Sequence, residues 1–350
     1  MKKYKVVSLF AGIGGIDLAF EQAGFDIVWG NEIDKYATMT YRANFPNHEL
    51  IEEDIKQVKT EEVPNFDILI AGFPCQAFSV AGEQKGFNDE RGKIFFEIIR
   101  FLKAKKPLAF LLENVRNLVN HNEGETLKKM LELLKDCGYW VKYDVLSAET
   151  HGNIPQNRER VFIVGFRDKK QCENFSFPLE VPLKTQIKDL VDFQEPQEKK
   201  YYYSADNHGY YDKLTQEITQ ENTIYQWRRV YVRKNKSNVC PTLTANLGTG
   251  GHNVPLIFTK QGIRKLTPRE CFNLQGFPLT FKLPDLANCH LYKQAGNSVV
   301  VPLVKRIAEN ILAILEQRVS KNFFLKERTK EKLFLVSKNV QKNPENLPIS

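Results

Sequence analysis

Cys75 stands in the run Gly72-Phe-Pro-Cys-Gln-Ala-Phe-Ser, directly after the apolar stretch Asp67–Ala71. A lone cysteine is usually an inert, buried small hydrophobe. Here Pro74 stiffens the backbone just ahead of the thiol. The stretch before it reads as a strand, and open α/β sheets bind ligands at the carboxyl ends of their strands. Glu113, in Glu113-Asn-Val, ends the next such stretch, and Gln156-Asn-Arg-Glu-Arg supplies Arg158 and Arg160 just before another. A thiol, a carboxylate and a guanidinium at strand ends are the parts of a site for covalent, nucleophilic chemistry. Periodicity alone does not prove that they converge.

A second set of residues suits a nucleoside. Phe10-Ala-Gly-Ile-Gly-Gly falls where a strand ends and a helix begins, so the backbone can turn tightly and offer N–H groups to a ligand. It is not the dinucleotide fingerprint, because position 17 is Asp rather than Gly. Glu32, in Asn31-Glu-Ile-Asp, can accept both ribose hydroxyls, and Asp54 can accept from an adenine amino group. A tight turn and two solvated loop carboxylates read the same way when taken singly. Their order favours a nucleoside cofactor without saying which one.

The elements that must carry these groups alternate through the first 150 residues. Val6–Phe10, Asp26–Gly30, Asp67–Ala71 and Phe110–Glu113 read as strands; Ile16–Ala23, Lys35–Asn44, Lys93–Lys103 and Thr126–Cys137 read as helices. Val141–Ser147 and Arg160–Phe166 read as two further strands joined by a polar loop. The pattern predicts a doubly wound α/β sheet with a largely parallel core. Residues 171–260 lack sustained helical periodicity and are rich in Tyr, Asn, Gln, Thr and Gly, which suggests a separate, mostly β unit. Helical character returns over Leu291–Leu315, with a Gly-Asn-Ser turn before Val299. The expected division is 1–188 completed by 291–317, a second unit over 189–290, and a basic tail over 318–350.

The 350 residues carry a net charge of +8, which suggests a polyanionic partner. Eight Lys/Arg against three Asp/Glu fall in 318–350, so much of that charge sits in the tail. Six cysteines and six histidines form neither CxxC nor HExxH, leaving little support for a metal site or a disulfide framework. No apolar run approaches the ~20 residues that span a bilayer. A cytoplasmic location is expected.

The ordered motifs resemble those of the bacterial DNA (cytosine-5)-methyltransferases of restriction–modification systems, over roughly residues 5–316. Besides the runs already quoted, they include Asp54-Ile, Arg91-Gly-Lys-Ile-Phe-Phe, Arg264-Lys-Leu-Thr-Pro-Arg-Glu-Cys and Gly296-Asn-Ser-Val. The resemblance implies a Rossmann-like S-adenosylmethionine-dependent domain, with a smaller, mostly β target-recognition domain. It implies that Cys75 adds to carbon 6 of a flipped cytosine, Glu113 binds ring nitrogen 3 and the exocyclic amine, and Arg160 binds oxygen 2 with Arg158 beside it. It assigns the cofactor to Phe10, Gly12, Ile13, Gly15, Glu32, Ile33, Asp54, Ile55, Gly72, Pro74, Ile94, Asn297 and Ser298. Ile33 departs from relatives that place a large aromatic there. For DNA the resemblance points to Gln76, Ser79, Arg228, Arg229, Arg233, Lys234 and Thr242, with Arg229 against a guanine and Lys234 and Lys236 on phosphates.

The expected partner is double-stranded DNA, met by a monomer, with a cognate restriction endonuclease acting independently on the same site. Residues 76–91 form a polar loop able to close as a lid. An RNA cytosine transferase is the nearest rival, and the long region 171–260 argues for duplex DNA. A nicotinamide oxidoreductase leaves Phe-Pro-Cys-Gln and the arginine motif unexplained. A catalytically inert DNA-binding module leaves the filled catalytic positions without a purpose.

Overall fold

The computed structural model describes residues 3–73, 94–206, 208–228, 230–247 and 254–316. Strand and helix alternate through the first half: β1 (Lys5–Leu9), α1 (Gly15–Gln22), β2 (Asp26–Glu32), α2 (Lys35–Asn44), β3 (Leu50–Glu52), β4 (Ile68–Gly72), α3 (Ile94–Lys105) and β5 (Ala109–Val115). Then come α4 (Glu125–Asp136), β6 (Trp140–Ser147), α5 (Ala148–Gly152), β7 (Glu159–Phe166) and α6 (Lys169–Asn174). The strands form one sheet in the order β3-β2-β1-β4-β5-β7-β6. Pairing is parallel from β3 to β5, while β7 runs antiparallel to both β5 and β6.

Period-two alternation explains why these strands read as continuous apolar runs. Ile68 and Ile70 of β4, and Ala109 and Leu111 of β5, face one core, whereas Leu69, Ala71, Phe110 and Leu112 face the other. The first core takes Ile16, Ala19 and Phe20 of α1 and Tyr41 of α2; the second takes Phe95, Ile98 and Phe101 of α3 and Leu127 and Met130 of α4. Helices therefore cover both faces, and the order of strands reverses between β1 and β4. The carboxyl ends of β1, β2, β4 and β5 share one edge, together with the start of β7, where Val115 pairs with Arg160.

The second half supplies α7 (Tyr211–Glu217), β8 (Ile224–Arg228), β9 (Tyr231–Lys234), β10 (Val254–Thr259), β11 (Gly262–Lys265), α8 (Pro268–Asn273), α9 (Asn288–Asn297) and α10 (Val301–Leu315). The four strands make an antiparallel sheet in the order β11-β10-β8-β9. One face, with Tyr225, Trp227, Val254, Leu256 and Ile263, packs on Leu214 and Ile218 around a small core. The other face carries Ile224 and Ile257 into the first large core. Phe272, Phe277 and Phe281 join that same large core, and the Asn44 side chain exchanges hydrogen bonds with the Lys282 backbone at 2.9 and 2.7 Å.

Two local expectations need correction. The connection between β6 and β7 is not a plain polar loop, because Ser147 caps the short helix α5 with a 3.3 Å bond to the Glu149 N–H. The Gly-Asn-Ser segment is not a turn before a helix either. Gly296 and Asn297 are the last residues of α9, and only Ser298 is extended. Position 296 takes glycine because its bare Cα admits the Thr244–Ala245 backbone, which an added Cβ would overlap. Among the described residues, no helix is long and apolar enough to cross a membrane.

Candidate active site

Phe73 follows β4 at the shared edge, and its carbonyl accepts a 3.1 Å bond from the side chain of Asn114, which is 2% exposed. Asn114 thereby anchors the backbone two residues before Cys75. Sequence reasoning assigned it no role, although a polar residue inside a fully buried strand was a signal. Pro74, Cys75, Gln76 and Ser79, and the lid expected over 76–91, lie outside the described residues.

Glu113 projects from β5 at that edge. Its Oε2 would stand 3.5 Å from a Cβ on Gly72, and its Oε1 lies 3.1 Å from Arg160 Nε. Burial pushes its pKa above the usual carboxylate range, while Arg160 and then Arg158 pull it down. A carboxyl in that state can hold a proton or donate a hydrogen bond beside a reacting base. Arg160 also donates to the Glu159 carbonyl at 2.8 Å. Glu113 and Arg160 thus meet as expected.

Arg158 is placed differently from the expected substrate-side group. It is 2% exposed, Nη1 donates to the Leu243 carbonyl at 2.9 Å, and Nη2 donates to the carbonyls of Gly296 and Ser298. Its terminal nitrogens hold backbone, so its geometry is that of a scaffold.

The nucleoside side is built around α1. Gly12, at φ +58°, has nothing among the described residues within 4 Å of where a Cβ would stand, which leaves room above the loop. Gly14 starts the helix at φ 83° without a side-chain cap. Glu32 Oε2 accepts from Gly12 N–H at 2.8 Å, while Oε1 accepts from Ile33 and Asp34 N–H at 2.9 and 2.8 Å. Burial raises the Glu32 pKa, opposed by those three N–H groups. Ile33 is 65% exposed, an apolar side chain left in the open at the end of β2. Phe10 has a positive φ of 54° and is partly buried against the second core. Ser298 Oγ is buried without a hydrogen-bond partner among the described residues and would stand 2.5 Å from a Cβ on Gly15.

Other expected cofactor residues divide. The side chains of Ile13 and Ile55 are spent in the two cores at 3% and 2% exposure, so their backbones alone are left for a ligand. Asp54 accepts from the Lys56 N–H at 3.0 Å and stays partly open; Ile94 is partly buried against the second core. Asn297 is exposed at the end of α9.

Asp17, the residue that breaks the dinucleotide pattern, is fully buried and accepts from Ser8 Oγ at 2.9 Å and Tyr41 Oη at 2.8 Å. Burial pushes its pKa up to about 6, against the pull of those hydroxyls. A pKa raised above the unfolded value near 3.8 gives a stabilising contribution that is fully present below about pH 4 and lost as pH rises through 6. The shift corresponds to about 3 kcal/mol, roughly half of it between pH 5 and 7.5. Denaturant titrations at those two pH values should show wild type losing about 1 kcal/mol more than Asp17→Asn on going up. Equal losses would mean that Asp17 is ionised throughout.

In the small sheet, Arg233 lies opposite Gln226 and donates to its Oε1 at 3.0 Å, and Arg228 lies opposite Tyr231. Residues directly opposite share a face, so Gln226, Arg228, Tyr231 and Arg233 continue the face that Ile224 presents to the large core. Lys234 lies opposite Tyr225 on the other face and donates to Gln220, so the phosphate role expected of it has no support in this placement. The Thr242 hydroxyl donates to the Asn157 carbonyl. Arg229 lies outside the described residues.

The model of one family, described as C-5 cytosine-specific DNA methylase, matches residues 4–313. The chain is 59% identical over 309 residues to the type II methyltransferase M.Bsp6I of Bacillus sp. (strain RFL6), covering 88% of this chain and 98% of that one. It is 39% identical over 319 residues to M.SsoII of Shigella sonnei, covering 90% and 81%. Among solved structures, the S. pombe Dnmt2 methyltransferase superposes with a TM-score of 0.69 at 22% identity, covering 89% of this chain and 99% of that one, a likeness of fold.

Proposed function

We propose a mechanism and a cofactor for this chain, which belongs to the C-5 cytosine-specific DNA methylases and so methylates carbon 5 of cytosine in DNA. The carrying observation is that the Glu113–Arg160 pair and the Asn114-anchored Phe73 carbonyl share one sheet edge, two residues before the thiol. Cytosine reaches that edge only by rotating out of the duplex, which costs a few kcal/mol. The Cys75 thiolate adds to carbon 6, Glu113 holds ring nitrogen 3 and the exocyclic amine, and Arg160 holds oxygen 2. The ring then has enamine character, and carbon 5 is the atom able to accept a methyl group. Loss of the carbon 5 proton re-forms the double bond and expels the thiolate.

S-adenosylmethionine, when bound, supplies an electrophilic methyl group. The residues fit it. Gly12 leaves room, Glu32 offers remaining lone pairs to ribose hydroxyls, Phe10 and Ile33 offer apolar surface to the adenine, and Ser298 Oγ is a buried polar atom awaiting a partner. Glu32→Ala should weaken S-adenosylhomocysteine binding about tenfold to a hundredfold, the scale of hydrogen bonds to a charged group. Calorimetry reads this directly, and unchanged affinity, or tight NAD binding, would remove the assignment.

The division 1–188 with 291–317, and 189–290, stands as part of this reading, with DNA chosen by the second unit. The type II names of the relatives support a role as a modification enzyme; a monomer, with a separate endonuclease sharing its target, belongs to the same reading. Sequencing DNA from cells expressing the chain, with a cytosine-modification readout, tests the activity and identifies the target; unmodified cytosines throughout would sink it.

A further inference from the structure

One polar joint ties the segment before β7 to the 240–245 loop and to the end of α9. The segment before β7 pairs with the chain after β9. Cys240 N–H donates to Pro155 O at 2.8 Å and Asn157 N–H to Cys240 O at 2.8 Å, with a bridge between Gln156 and Cys240. Gln156, 0% exposed, accepts from Leu243 N–H at 3.2 Å and donates to the Leu274 carbonyl at 2.7 Å and Gln275 Oε1 at 3.2 Å. Gln275 passes the chain on, donating to the Ala295 carbonyl at 2.6 Å. Arg158 spans the gap, with one end on Leu243 and the other on Gly296 and Ser298. Gly296 lets the Thr244–Ala245 backbone lie directly against α9. At the end of this joint, Ser298 lies against Gly15 of the nucleoside loop, and two residues past Arg158 is Arg160, paired with Glu113.

We propose that Arg158, with Gln156 and Gly296, is a positioning residue that locks the 240–245 loop of the DNA-reading half to the 296–298 segment of the cofactor loop, so that DNA and cofactor bind cooperatively. A guanidinium suits the task because its rigid fork can hold carbonyls on two segments at once, whereas an ammonium is a single point donor. Ordering either segment by its own substrate pre-orders the other. By linkage the coupling is the same in both directions. The inference rests on the reading that the Gly12–Gly15 loop takes the nucleoside cofactor and the second half takes DNA.

The test is calorimetry of S-adenosylhomocysteine, with and without a saturating duplex carrying the sequence found by modification sequencing. In wild type the duplex should tighten cofactor-product binding about fivefold or more, the usual scale of coupling between sites. Arg158→Lys should bring that factor to within about twofold of unity while binding without DNA changes less than about threefold. A merely destabilising change would lower both affinities and leave their ratio alone. Thr242→Val removes the exposed bond to Asn157 and should lower the factor by about twofold even if Arg158→Lys melts early; the duplex is kept saturating, so a weakened DNA contact at Thr242 does not enter the ratio. A wild-type factor of one, or variants that keep the full factor, would overturn the joint. Wild type that binds neither ligand would instead sink the underlying reading, and this inference with it.

Discussion

Cys75→Ala loses methyl transfer by about 10⁴-fold or more, the scale on which removing a nucleophile collapses covalent catalysis. DNA binding should survive, because the basic face of Arg228 and Arg233 on the four-stranded sheet is unchanged. The loss follows from the substrate: carbon 5 of cytosine is too weak a nucleophile until carbon 6 carries a donor. A free thiol has a pKa of about 8.5, so only a small fraction is thiolate at neutral pH, and nearby positive charge must raise that fraction. Arg160 stands at the same edge as the start of the Cys75 segment. The companion experiment uses DNA containing 5-fluorocytosine with S-adenosylmethionine present. Fluorine at carbon 5 cannot leave as a proton does, so the thioether at carbon 6 persists and a protein–DNA band survives denaturation. Cys75→Ala must give no such band. A variant that methylates at an undiminished rate, or a wild type that never traps, removes covalent catalysis at Cys75.

The strands were legible because they are buried on both faces. Ile68–Ala71 and Ala109–Leu112 feed alternate side chains into two cores, so no polar residue interrupts them until the strand end, and the interruption itself marks the site. Glu113 and Arg160 were readable for that reason. Arg158 was not, because a guanidinium in a motif looks the same whether it faces a base or three carbonyls. Ile13 and Ile55 were assigned to the cofactor by resemblance, and only tertiary packing shows that their side chains turn into the cores and leave their backbones for a ligand. The second half resisted for another reason. Its sheet buries one face on a small core and gives the other partly to the large one, and long loops leave too few residues per strand for a period to register. The switch of face between Arg233 and Lys234 is visible only once the register with Tyr225 and Gln226 is known.

Moving residues 189–265 into a relative of different target sequence transfers this chain's target sequence entirely. The reason is the division of labour on the two sheets. Glu113, Arg160 and the nucleoside loop all sit on the seven-stranded sheet or its connections, whereas the basic face of Arg228 and Arg233 belongs to the four-stranded one. Stopping at 265 keeps Arg264 in the transplant and leaves Glu270 in the recipient. Their bidentate pair at 2.8 and 2.7 Å then re-forms only if the recipient has a carboxylate there, so the recipient must be chosen with one. Within the segment the arginines should separate by effect. Arg229 corresponds by family resemblance to a guanine contact, and a bidentate arginine–guanine pair is worth ~1–3 kcal/mol of discrimination. Arg229→Ala should relax one base pair by roughly tenfold to a hundredfold on that scale. Arg233→Ala should weaken binding to all sequences alike and flatten the salt dependence, as loss of a phosphate contact does. Lys234→Ala, on the opposite face, should do neither. Methylation profiling on a randomised duplex library, repeated at two salt concentrations, reads all three variants and the chimera. An active chimera that keeps the recipient's target places recognition outside 189–265. A Lys234→Ala variant as impaired as Arg233→Ala means that DNA does not lie on the face shared with Ile224.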